Sequence, residues 1–174
     1  MKQIPIPNVE LFSEVRRLMA EGRDVTILAR GSSMLPFIRD GVDKVLLTPA
    51  YGSGEKADGS GQAAEPNTAD PGGSSAFSPG DILLCEVSPG RFVLHRLIGF
   101  DGGRLILMGD GNLRGTESCT PSGVIARAIA ILRPNGSVVN CCSRSELRKA
   151  RIWHRLLPIR RILLAVWRRT HRSR

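Results

Sequence analysis

Three short segments carry the residue types that acyl transfer needs. The first, Gly31-Ser32-Ser33-Met34-Leu35-Pro36, directly follows a strand-like run. Glycine and small residues there make a tight strand exit, which can lift a serine hydroxyl clear of a sheet, and Pro36 stiffens it. The second is Val93-Leu94-His95-Arg96. Strand alternation places His95 on the face of Val93 and Leu97, and Arg96 on the other face. The remaining histidines, His154 and His171, lie in a basic C-terminal stretch. The third segment is Met108-Gly109-Asp110-Gly111-Asn112. An aspartate between glycines is ordinarily a turn residue, but it can also hold a carboxylate beside a histidine on the neighbouring strand. Asp110 follows His95 by 15 residues, a spacing that suits the two strands of one hairpin. A serine hydroxyl attacks a carbonyl only when a base takes its proton. Imidazole suits that task near neutral pH, and a carboxylate fixes its tautomer and stabilises the imidazolium. Each segment alone also has a plain structural role as a turn or a strand; the set points to chemistry.

The elements that must position these residues read as follows. Residues 8–21 form a short helix, capped by Asn8, with Val9, Phe12, Val15, Arg16 and Met19 near helical spacing and Gly22 ending it. Strands are expected at residues 24–30, 43–48, 81–87, 91–99, 104–109 and 123–133, with a further one at 137–142. Ser88-Pro89-Gly90 and Asp101-Gly102-Gly103 are turn formers, so their flanking strands read as hairpins. Residues 51–79 are rich in Gly, Ser, Ala, Asp and Pro, and read as a disordered surface insertion. The C-terminal 145–170 is helical by composition, broken in two by Pro158. The sum is a mostly β domain, residues 1–143, followed by a basic amphipathic helical tail, residues 144–174.

The four boxes Gly-Ser-Ser-Met-Leu-Pro, Gly80-Asp81, Val-Leu-His-Arg and Gly-Asp-Gly-Asn, taken together over about residues 24–133, resemble the S24/S26 superfamily of serine peptidases. The closer resemblance is to signal peptidase I of the endoplasmic-reticulum and archaeal branch, which uses His where bacterial enzymes carry Lys. The resemblance implies a signal peptidase/LexA-type β-sheet catalytic domain. It implies Ser33, not Ser32, as nucleophile, His95 as general base and Asp110 as the acid orienting it, with Glu117 as the alternative acid. It implies a structural role for Gly80-Asp81, and roles for Met34 and Pro36 in shaping the nucleophile turn and substrate cleft. Gly31 stands where many relatives place a serine of the oxyanion hole, so that hole would rely on backbone N–H groups. The substrate expected is an extended peptide or precursor segment with small residues near the scissile bond. No cofactor and no metal are called for. Two other readings stay open: a self-cleaving regulator of the LexA type, and a catalytically silent binding domain anchored by its tail.

Charge narrows the partners. The chain carries a net +9, yet residues 144–174 alone hold 11 Arg or Lys and one acid, Glu146. The body is nearly neutral, so the tail needs an anionic partner. Trp153, Leu156, Leu157, Leu163, Leu164 and Trp167 recur at helical spacing, with arginines filling the rest and Arg160 interrupting the stripe. Such a helix suits an anionic membrane surface; nucleic acid fits less well, because the apolar side also needs burial. No apolar run spans a bilayer and no export leader is evident, which points to a cytoplasmic protein, peripheral on the inner face of the membrane. The four cysteines show no paired metal-ligand spacing and are expected as reduced thiols.

Overall fold

The computed structural model describes residues 8–51 and 77–171. The chain runs α1 (Asn8–Ala20), β1 (Val25–Leu28), β2 (Lys44–Pro49), β3 (Ile82–Ser88), β4 (Arg91–Asp101), β5 (Arg104–Met108), β6 (Glu117–Cys119), β7 (Val124–Leu132), β8 (Val138–Asn140), α2 (Arg144–Arg155) and α3 (Arg160–His171). A 3-10 turn precedes β7 at Pro121–Gly123, and another joins the last two helices at Leu157–Ile159. The architecture is a mostly antiparallel β sheet with a short N-terminal helix and C-terminal helices. Strand order is β1-β2-β7-β3-β4-β5-β6, with β8 also on β7. Among the described residues every strand pair is antiparallel, as short turn-forming connections require.

Alternation sorts the strands into two apolar faces. Ile82 and Leu84 of β3 join Val45, Leu47, Met34 and Ile38 under α1, which contributes Val15 and Met19. Leu83 and Cys85 point the other way and meet Leu97, Leu105, Leu107 and Cys119. Residues 82–85 are therefore buried on both sides, which is why that stretch reads as an unbroken aliphatic run rather than an alternating one. Each such Leu side chain contributes about 1.5–3 kcal/mol by leaving water.

Several boundaries differ from the sequence expectation. The three-residue β6 was not anticipated; it exists because β5 supplies its hydrogen-bonding edge. The expected insertion at 51–79 falls mostly outside the described residues, but its ends are packed. Phe77 is buried, its ring lies edge-on to Tyr51 at 5.5 Å, and the Tyr51 hydroxyl donates to the Pro121 carbonyl at 2.7 Å. Helix α2 starts where Ser143 accepts from the Glu146 N–H, the Ser-x-x-Glu cap arrangement. The break at Pro158 is present as the 3-10 turn between α2 and α3. Among the described residues no helix is long and apolar enough to cross a membrane.

Candidate active site

Ser33 sits in the loop that leaves β1. The base of this loop is laced to the start of β2: Ala29 N–H donates to Asp43 O at 2.9 Å, and Gly41 N–H to Ala29 O at 2.8 Å. Gly31 has φ +95°, a conformation that side chains resist, and its N–H donates to Asp40 Oδ1 at 2.9 Å. This is the physical reason for glycine at a position where a serine could have supplied a side-chain donor. Beyond it the chain turns tightly, with Leu35 N–H on Ser32 O and Ile38 N–H on Met34 O, and the Leu35–Pro36 peptide is cis. The buried Met34 and Ile38 pin the turn to the core, leaving Ser32 exposed and Ser33 half-buried. Among the described residues the N–H groups of Ser33 and Met34 have no hydrogen-bond acceptor.

The Gly-Asp-Gly-Asn box lies directly against this turn. Gly111 N–H donates to Ser33 O at 2.7 Å. A Cβ at Gly111 would stand 2.3 Å from Ser32 O, and one at Gly109 2.5 Å from Ser33 O. Both glycines are required because the serine backbone occupies the space a side chain would take. The two boxes, more than 70 residues apart in sequence, thus form one surface.

His95 and Ser33 line one cavity of about 200 Å³, together with Gly31, Met34, Ile27, Phe92 and the α1 residues Leu11 and Phe12. Among the described residues the Ser33 hydroxyl makes no hydrogen bond, to His95 or otherwise. On its other side His95 Nδ1 stands 2.8 Å from Glu117 Oε2. The pair is close without being an aligned hydrogen bond, and among the described residues neither atom has another polar partner. Distance decides here, because nothing competes for either atom. The other carboxylate oxygen of Glu117 takes Arg91 Nη2. Burial of His95 pushes its pKa below the ordinary 6.5, against the opposing pull of Glu117. The imidazole is therefore neutral at pH 7, as a proton acceptor must be. With Nδ1 toward a carboxylate, Nε2 is the nitrogen free to accept a proton.

Asp110, expected to orient His95, does something else. Its carboxylate is bidentate on Arg96, with Nε at 2.9 Å and Nη2 at 2.7 Å, while Arg96 Nη1 donates to Gly80 O at 2.7 Å. The reason is parity. Leu97 pairs with Leu107, and Leu107 with Glu117, so His95, Leu97, Leu107 and Glu117 share one face. Arg96 pairs with Met108, and Asp110, two residues on, follows that opposite face. Arg96 thereby ties the Gly-Asp, His-Arg and Gly-Asp-Gly-Asn boxes together from behind.

Pro36, expected in the substrate cleft, lines a different cavity with Arg39, Arg133 and Trp167. Met34 does line the Ser33 cavity. Asp81 accepts from Ser78 N–H at 2.9 Å and lies 3.4 Å from Arg127, a structural arrangement. Four residues at or behind the site were given no role there by the sequence: Arg91 on Glu117, Arg96 on Asp110, and the tail residues Trp153 and Arg160. Trp153 Nε1 donates to Asp110 O at 2.7 Å, and Arg160 Nη1 to Asn112 O at 2.9 Å. The Arg160 guanidinium also lies over the Trp153 ring, 5.4 Å from its centroid. Strand parity could have indicated Arg96; the tail contacts have no local signal. Among the described residues no group of three His, Cys, Asp or Glu side chains is placed to hold a metal ion. No family model, curated protein or solved structure matches this chain.

Proposed function

We propose that this protein is a serine endopeptidase that cleaves an extended peptide or precursor segment through a Ser33–His95–Glu117 acyl-enzyme mechanism. The observation that carries the reading is His95: buried, lining a cavity with Ser33 on one side and facing the Glu117 carboxylate on the other. Ser33 Oγ adds to the scissile carbonyl as its proton passes to His95 Nε2. The imidazolium so formed is stabilised by Glu117, which is itself held by Arg91. The N–H groups of Ser33 and Met34, without acceptors of their own, serve the developing oxyanion. His95 then returns the proton to the leaving amine, and water, deprotonated by the same nitrogen, releases the acyl group. Strand β1 ends the sheet, so an extended peptide can add to its free edge beside the cavity. The cavity's walls, Leu11, Phe12, Ile27, Met34 and Phe92, favour a small apolar side chain. On the same reading the protein works in the cytoplasm, held at the inner face of the membrane by its C-terminal helices.

A second reading, a catalytically silent domain that binds peptides at the same edge, draws support from the unpaired Ser33 hydroxyl and the absence of a side-chain donor at Gly31. Both readings meet one test. The full chain is treated with a fluorophosphonate probe and an internally quenched peptide library, and the adduct is mapped by mass spectrometry. Labelling at Ser33 and peptide turnover are expected, lost in Ser33→Ala and His95→Ala and retained in Ser32→Ala. A wild-type chain that neither labels nor cleaves sinks the peptidase reading in favour of the silent domain.

A further inference from the structure

The C-terminal helices turn to the body the side that composition marks as lipid-seeking. Trp153, Leu156, Leu157, Leu163 and Trp167 are half-buried and Leu164 is buried. Arg160, which interrupts that stripe in sequence, is only 1% exposed and anchors α3 to the Asn112 carbonyl. The outward side of α3, with the 3-10 turn before it, carries a second apolar stripe that composition alone does not separate from the first. Ile159, Ile162 and Val166 stand at i, i+3 and i+7, at 46%, 66% and 57% exposure. Ile152 on α2 is exposed as well.

Exposed arginines accompany this stripe: Arg161, Arg168 and Arg169 on α3, and Arg148, Arg151 and Arg155 on α2. Among the described residues none of the six makes an ion pair. The one acid of the tail, Glu146, is taken by Lys149. Among the described residues these β-branched aliphatics are thus uncovered, and the guanidinium groups bordering them have no counter-ion.

We infer that the outward face of α3 and of the 3-10 turn before it, Ile159, Ile162 and Val166 with Arg161, Arg168 and Arg169, is a docking surface for an anionic membrane. There the aliphatic stripe enters the boundary of the acyl chains while the guanidinium groups meet lipid phosphates. Nucleic acid would satisfy the arginines only. It would leave the stripe wet, and both tail tryptophans, the groups able to stack on bases, are turned to the body. The docking surface does not depend on the peptidase reading, because it involves neither Ser33 nor His95.

The test is co-sedimentation of the full chain with vesicles of phosphatidylcholine alone or mixed with phosphatidylglycerol, beside a fluorescent oligonucleotide titration. Binding to the mixed vesicles and not to phosphatidylcholine alone is expected. The double variant Ile162→Ser, Val166→Ser should lower that partition about tenfold. Arg168→Gln and Arg169→Gln should each lower it about fivefold. All these side chains are exposed, so Tm and tryptophan emission should match wild type, which separates lost docking from lost folding. Unchanged partition of the double serine variant overturns the proposal, as does a wild-type chain that binds the oligonucleotide but not the vesicles, or neither.

Discussion

The substitution Glu117→Gln separates the two candidate acids, and its effect follows from the geometry. Glu117 Oε2 lies 2.8 Å from His95 Nδ1. At that distance, with an effective dielectric of about 20, opposite unit charges attract by about 6 kcal/mol. Arg91 on the other carboxylate oxygen and the partial exposure of Glu117 both reduce the figure. A net of about 3 kcal/mol on the imidazolium of the transition state corresponds to about a hundredfold in rate. Glu117→Gln should therefore slow fluorophosphonate labelling of Ser33 about a hundredfold, with little change in Tm. Because Glu117 raises the His95 pKa against the effect of burial, its loss should also move the acidic limb of the labelling profile to lower pH. Asp110→Asn should behave in the opposite way. It leaves the Arg96 guanidinium buried without its carboxylate, at a cost of about 3–5 kcal/mol. For a chain of this size that lowers Tm by on the order of 10 °C. At a temperature where the variant is folded, its labelling rate should stay within a few-fold of wild type. Wild-type labelling by Glu117→Gln, together with a dead but folded Asp110→Asn, would refute the assignment of the acid.

Two further outcomes follow. Gly111→Ala places a methyl 2.3 Å from Ser32 O, so the serine turn must shift; both Tm and the Ser33 labelling rate should fall, whereas Gly115→Ala, where nothing stands within 4 Å, should cost only the strain of its positive φ and leave labelling intact. Folding stability should be full above about pH 6.5 and decline below it, because the unfolded chain protonates His95 while the folded chain, with its depressed pKa, resists. Calorimetric Tm from pH 8 to 5 should show that decline in wild type and a flatter curve in His95→Gln; parallel curves would contradict the burial argument.

Much of this molecule is local in origin. The aliphatic runs between turn formers become strands, Gly22 ends α1, Ser143 with Glu146 starts α2, and Pro158 divides the tail, all for reasons contained within a few residues. The faces of His95 and Arg96 follow from alternation alone, and with strand pairing that same parity is enough to send Asp110 to Arg96. The partner of His95 was less legible: the resemblance offered Glu117 only as the alternative to Asp110. Glu117 lies on β6, a strand of three residues too short to show any period, and it exists only because β5 offers it an edge. The helical tail makes the same point on a larger scale. Two apolar stripes, Trp153-Leu157-Leu164 and Ile159-Ile162-Val166, both satisfy helical spacing, and no local rule chooses between them. The choice falls to contacts more than 40 residues distant in sequence, Trp153 on the Asp110 carbonyl and Arg160 on that of Asn112. A side chain's period says which residues share a face. Only the assembled fold decides what that face meets.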